Sequence, residues 1–453
     1  MMGTQAEPEH LFYDFCLEDH VPPDHLLRRI DVFLDLGELR LKLKPYYSPI
    51  GRPSVDPELM IRMLIVGYCL GIRSERRLCE EVHLNLAYRW FCRLGLEGTV
   101  PDHSTFSRNR HGRFRDSNIL RHLFESVVHR CLSEGLVDGE GFAVDASLIQ
   151  ADANKQRSIP GSEWKSQDQS TNAGQAVRDY LATLDDAAFG AASPVVPKFI
   201  SPSDPAAQWT GAHKGAAFFA YATNYLIDVK QAVIVDVEAS RAIRQAEVGA
   251  AKTMIERTEQ RFGIKPKRLA ADTAYGSAET LDWLVNDKKI TPHIPVIDKS
   301  TRDDGSFGRA DFTYNAERDV YICPAGKTLK TSGRINYDNT YRYLASTYDC
   351  GPCPLKVTCC PKTPQRKIPR SIHENARDVA RVLSGTNAFE QSRHERKRVE
   401  MLFAHLKRIL KLGRLRLRGP TGAKDEFLLA ATAQNLRKLA KLATAPPPKM
   451  QPI

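Results

Sequence analysis

The chain predicts a mixed α/β fold with a helical N-terminal region. Three observations carry that expectation. Residues 1–135 read as short helices separated by tight breaks. Several segments between residues 141 and 272 read as strands, interleaved with an amphipathic helix. Near residue 400 a helix follows that is apolar on one face and strongly charged on the other. With 453 residues, 42% of them hydrophobic, the chain can bury a large core and divide into two or three domains.

Asp56-Pro57-Glu58 is a helix start with proline at its first position, opening a segment to Leu70 that Gly71 ends. Ser74 begins a helix through Val82, another spans Leu86–Leu94, and Asp116 opens a long one to Glu134. Together these resemble a helix-turn-helix class module, assigned to residues 1–135. A plain helical bundle is the alternative. Within it, Pro101–Arg110 offers helix-cap residues followed by Arg108 and Arg110, candidate DNA contacts.

The core is expected to begin at residue 136. Phe142, Val144, Ala146 and Leu148 alternate onto one strand face, which puts Asp145 on the other. Residues 151–208, rich in Ala, Ser, Asp, Gln and Pro, predict a mobile insertion. Phe218–Asp228 and Ala232–Glu238 read as antiparallel strands, and Gln245–Phe262 as a helix. A short strand from Arg268 ends on Asp272 and turns through Gly276 into a helix capped by Ser277. This first part of the core is assigned to 136–290.

The 127 residues between Asp272 and Glu400 are too many for a simple connection, so 291–385 are expected to form an inserted subdomain. It holds Cys323, Cys350, Cys353, Cys359 and Cys360, half of the ten cysteines. Cys350-x2-Cys353-x5-Cys359, preceded by Cys323, resembles a zinc-knuckle arrangement and implies a tetrahedral zinc site. Scattered reduced cysteines are the alternative.

The C-terminal helices of the core are assigned to 386–444, and the proline-rich tail 445–453 is expected to be disordered. Arg396-x3-Glu400-x6-Lys407 places three charges within about 40° on one helix face. Val399, Leu402, Phe403, Leu406, Ile409 and Leu410 supply the adjoining apolar stripe. The net charge is +11, and residues 391–418 hold ten Lys or Arg against only Glu395 and Glu400. Arg393, Arg396, Lys407, Lys411, Arg414, Arg416 and Arg418 are the candidate phosphate contacts in this run.

Two strand aspartates and one helix glutamate make a set of hard oxygen ligands suited to Mg²⁺ or Mn²⁺ rather than zinc or copper. Two such ions about 3.5–4 Å apart serve phosphodiester chemistry. Val-Asp145-Ala-Ser, Ala-Asp272-Thr-Ala-Tyr-Gly-Ser and Arg396-x3-Glu400-x6-Lys407 together resemble the DDE transposases of bacterial insertion sequences, over about residues 50–437. The resemblance implies an RNase H-like catalytic core with Asp145, Asp272 and Glu400 as catalytic and metal-binding residues. It implies double-stranded DNA partners, namely terminal inverted repeats and target DNA, and a homodimer in the synaptic complex. Related groups often carry a tyrosine three residues before the helix arginine, and Arg393 stands there instead.

The expected reaction is cleavage at transposon ends followed by strand transfer. A metal-dependent nuclease without strand transfer and a catalytically silent DNA-binding protein are the alternatives. No apolar run is long enough to span a bilayer, and the N-terminus lacks the pattern of a signal peptide, so a cytoplasmic, nucleoid-associated bacterial protein is expected.

Overall fold

The computed structural model describes residues 15–51, 53–164, 174–184, 196–211, 215–297 and 304–442. The expected tail at 445–453 lies outside them.

The helical region comprises α1 (Leu26–Phe33), α2 (Leu39–Leu43), α3 (Pro57–Leu70), α4 (Glu75–Leu84), α5 (Leu86–Phe91), α6 (Ser104–Asn109) and α7 (Ile119–Ser133). Asp56 caps α3 by accepting the Glu58 N–H at 2.8 Å. At the other end Gly71 turns left-handed at φ 72°, and a Cβ there would come within 2.8 Å of the Ile409 carbonyl. Glycine thus both stops the helix and lets the later chain pass. Ser74 caps α4, as the sequence predicts. The buried Arg62 on α3 is compensated by Asp31 at 2.7 Å, Glu58 at 2.9 Å and the Phe91 carbonyl at 3.1 Å.

The core follows as β1 (Gly141–Gln150), β2 (Ile159–Pro160), α8 (Gln175–Ala182), β3 (Phe199–Ile200), β4 (Gln208–Thr210), β5 (Phe218–Asp228), β6 (Val233–Arg241), α9 (Arg244–Phe262), β7 (Arg268–Ala270), α10 (Ala278–Asp282) and β8 (Thr291–His293). The main sheet runs β6-β5-β1-β7-β8, with β4 extending the β6 edge along the start of β5. β5 is antiparallel to β6 and β1, whereas β7 and β8 run parallel to β1. This mixed order is consistent with an RNase H-like core.

Three expectations change here. β1 is a central strand buried on both faces as far as Val144, because β5 and β7 flank it, so it has no fully wet face. The described parts of 151–208 carry structure: β2 pairs with β3, and α8 buries Val177 and Tyr180, packing on a C-terminal helix. Val177 and Tyr180, at i,i+3, share one face of this short helix. Residues 291–293, assigned to the inserted subdomain, instead form the edge strand of the main sheet. Pro292 disguised it, since proline is tolerated only at such edges.

A second, antiparallel sheet holds β9 (Thr313–Asn315), β10 (Val320–Ile322), β11 (Thr328–Ile335), β12 (Thr340–Leu344) and β13 (Lys367–Ser371), in the order β13-β12-β11-β10-β9. The short helices α11 (Thr347–Cys350) and α12 (Lys356–Cys359) lie between β12 and β13. Phe312, Tyr321, Leu329, Tyr343 and Ile368 give this unit a small core of its own.

The chain then returns through α13 (Glu374–Ser384), α14 (Asn387–Arg408) and α15 (Gly419–Leu442). α15 is buried along most of its length, against β6 and helices α1, α3, α7 and α8. Its fully buried Asn435 accepts the Ile234 N–H at 3.0 Å and donates to the Ile234 carbonyl at 2.7 Å. One amide thus satisfies a β6 backbone pair that would otherwise be orphaned.

Candidate active site

Strand register brings Asp145 and Asp272 together. Ala143 pairs with Ala270 in parallel, and each aspartate lies two residues further on. The backbone of Asp272 is extended (φ −81°, ψ 176°), so the line of β7 continues to it. Its carboxylate accepts the Ala274 N–H at 2.8 Å and starts a single turn through Tyr275. Gly276 is required after that turn, because a Cβ would fall 2.0 Å from the Pro295 carbonyl oxygen.

Asp145 accepts the Ala146 N–H at 2.9 Å, and its side chain is 19% exposed. Burial pushes its carboxyl above the usual range. The Arg396 guanidinium and the Ala146 N–H oppose that rise, and the charges of Asp272 and Glu400 add to it. Asp145 therefore feels the charges of both other carboxylates.

α14 delivers Glu400. Thr386 caps the helix, and Phe389, Ser392, Val399, Leu402 and Leu406 form its buried face. The neighbouring position, Glu400, is exposed. Arg268 at the start of β7 pins the helix through Glu395 at 2.8 Å and through Ser392, which also meets His293 at 2.6 Å. One turn before Glu400, Arg396 places a guanidinium 3.9 Å from the Asp145 carboxylate. The Arg396 Nε is buried without an acceptor.

Sequence reasoning missed two members of this group. Glu247, in the first turn of α9, is half-buried, and its pKa is raised by burial and then by Asp272 and Asp145. Tyr275 is buried with an unpartnered hydroxyl, and its pKa lies well above ordinary, through burial and then Glu247, Asp145 and Asp272. An acid in a first helical turn is ordinary, so no local signal marks Glu247.

The expected cations divide. Arg393 is exposed and pairs with Glu390 at 3.5 Å, and Lys407 is half-buried, with its pKa lowered by that burial. Arg414 and Arg418 both reach Asp152, at 2.8 and 2.9 Å, whereas Lys411, Arg416 and Arg108 are exposed. Arg110 departs from the expectation of a DNA contact. It is 5% exposed and ion-paired with Glu75. Its partner lies 35 residues back in the chain, so local sequence gives no sign of the pair.

Cys323, Cys350, Cys353, Cys359 and Cys360 line one cavity of about 30 Å³. The Lys327 N–H donates to the Cys323 sulfur at 3.3 Å. Cys360, left out of the expected quartet, perturbs both Cys350 and Cys359. Burial, then Cys360, pushes the Cys359 thiol up to about 11. Among the described residues no three His, Cys, Asp or Glu side chains form a ready metal-holding cluster. In chemistry, however, the three carboxylates fit a hard divalent cation: they are all-oxygen donors whose mutual repulsion such an ion relieves.

Residues 15–112 match the family described as a transposase domain (DUF772), and residues 322–440 the family described as a transposase DDE domain. Glu400 and the five-cysteine cluster fall inside the second match, while Asp145 and Asp272 lie between the two. No solved structure matches the chain. No helix among the described residues is long and apolar enough to cross a membrane.

Proposed function

We propose that this chain, a DDE transposase of the insertion-sequence type by its two family matches, cuts DNA at the ends of its element and joins the freed ends to target DNA. The observation that carries the reading is that the charges of Asp272 and Glu400 both reach Asp145, with Asp145 on β1, Asp272 two residues beyond β7 and Glu400 on α14.

In this reading those three residues hold Mg²⁺ or Mn²⁺. A bound pair of such ions supplies the Lewis acidity that activates the attacking oxygen and stabilises the leaving one. Asp272 is oriented by the Ala274 N–H and Asp145 by the Ala146 N–H, so neither carboxylate has to be ordered at the moment of reaction. Arg396 opposes the rise that burial imposes on the Asp145 carboxyl and offers its free Nε to a phosphate oxygen. Lys407 lies two turns beyond Glu400 on the same helix face and adds a second cation along the DNA path.

The helical region to residue 135 is assigned to binding the terminal inverted repeats, with exposed Arg108 as a contact. Exposed Arg393, Lys411, Arg414, Arg416 and Arg418 are assigned to backbone phosphates. Because two ends must be joined, a homodimer forms the synaptic complex. The five-cysteine pocket is assigned to a structural zinc ion that stiffens the second sheet, with thiolates drawn from Cys323, Cys350, Cys353, Cys359 and Cys360.

The test is a strand-transfer assay with a duplex carrying the repeats that flank the gene. Joined product in Mg²⁺ is expected. Cleavage without joining identifies a nuclease, and binding without either identifies a silent relative.

A further inference from the structure

Between the facing ends of α3 and α4 and the segment entering α15 lies a cavity of about 290 Å³. Arg73, Arg76, Arg110 and Arg416 line it against only two carboxylates, Glu75 and Glu426. Two of the arginines are deeply buried: the side chain of Arg73 is 4% exposed and that of Arg110 is 5%. Arg73 engages Glu426 and the Tyr68 hydroxyl through a single amino group, and Arg110 engages Glu75. Left over, Arg73 Nε and Nη1 and Arg110 Nε are buried with no acceptor. The other oxygen of Glu426 is occupied by the N–H groups of Arg416 and Leu417, each at 2.6 Å.

Buried charged donors without acceptors are costly, and two guanidinium groups on one cavity call for an oxyanion rather than a neutral filler. The N-terminus of α4, with Ser74 and Glu75 on the same wall, adds its positive dipole end. Arg76 and Arg416 are exposed and mark the way in from solvent.

We propose that this cavity is an anion site that takes one phosphate group, with Arg73 and Arg110 holding its oxygens. The source we assign is a DNA backbone phosphate, because Arg416 continues into Arg418 and back to Arg414, which line a further cavity on the same segment before α15. Only that source rests on the DNA-binding reading above; the site itself does not. A phosphate here bridges the helical region and α15, so DNA would fasten one to the other.

The test uses the full chain, inorganic phosphate as probe and duplex DNA as second ligand. At constant ionic strength, replacing chloride by phosphate raises the melting temperature of the wild type. Arg110→Gln combined with Glu75→Gln removes both charges of the pair, so neither is left buried alone, and the rise disappears. Arg76→Gln, at an exposed position, keeps the fold and diminishes the rise, which preserves the test if the double variant fails to fold. In salt titrations of duplex binding, loss of the contact flattens the slope of log affinity against log salt by about 0.9. Phosphate stabilisation with an unchanged slope overturns the backbone source in favour of a free phosphate compound. No phosphate-specific stabilisation of the wild type overturns the site. A wild type that phosphate stabilises but that binds no duplex supports the site and rejects the DNA reading.

Discussion

The Arg396 guanidinium stands 3.9 Å from the Asp145 carboxylate, on the helix that carries Glu400 one turn further on. The pair ties α14 to the central strand β1 by charge. It also opposes the upward push that burial gives the Asp145 carboxyl.

Arg396→Ala therefore moves the acid limb of the cleavage profile to higher pH. Arg396 lowers the Asp145 pKa against burial, so without it that pKa rises and more alkali is needed to ionise the carboxyl. Arg396→Lys restores part of the shift. A pH–rate profile unmoved in the alanine variant removes Arg396 from this role.

The cysteine pocket predicts about one tightly held zinc per chain in protein purified without chelator. Cys350→Ser or Cys353→Ser should destabilise the second sheet, whose own core is small, more than the main sheet. Hydrogen exchange resolves the two regions. Metal analysis that finds no zinc with the thiols reduced rejects the assignment.

Asp425 makes a stability prediction. It is buried beside Arg110, and burial pushes its carboxyl up to about 6 against an ordinary 3.8. The folded state thus holds a proton that the unfolded state has released, so this residue costs stability as pH rises from about 4 to 6. Asp425→Asn removes a cost of at most about 3 kcal/mol at pH 7. Urea titrations at pH 5 and pH 7.5 should show the variant gaining most at the higher pH. Equal gains at both would show that the carboxyl is not the source.

Much of the fold was legible because it rests on local pattern. Asp56-Pro57 and Ser74 mark the starts of α3 and α4, and the apolar runs around Val229-Lys230-Gln231 mark β5 and β6. The strand bearing Asp145 and the helix bearing Glu400 were also readable, whereas the strand expected to end on Asp272 stops at Ala270 and Asp272 caps the turn that follows. What local pattern does not carry was missed. Glu247 joins the group through tertiary packing of α9 on the turn after Asp272, where Arg244 donates to the Thr273 carbonyl at 3.4 Å. Arg110 reads as a surface cation until Glu75 is brought to it, and the short β8 hides behind Pro292.

Cleavage by Asp145→Asn, Asp272→Asn and Glu400→Gln, made singly and in pairs, tests the central claim most directly. The substrate is an end-bearing duplex in Mg²⁺, with duplex binding measured alongside. The account predicts that each single change abolishes cleavage while binding persists, and that pairs are no worse than singles, since ligands of one site act as a unit. Near-wild-type cleavage by any one of the single variants would contradict it.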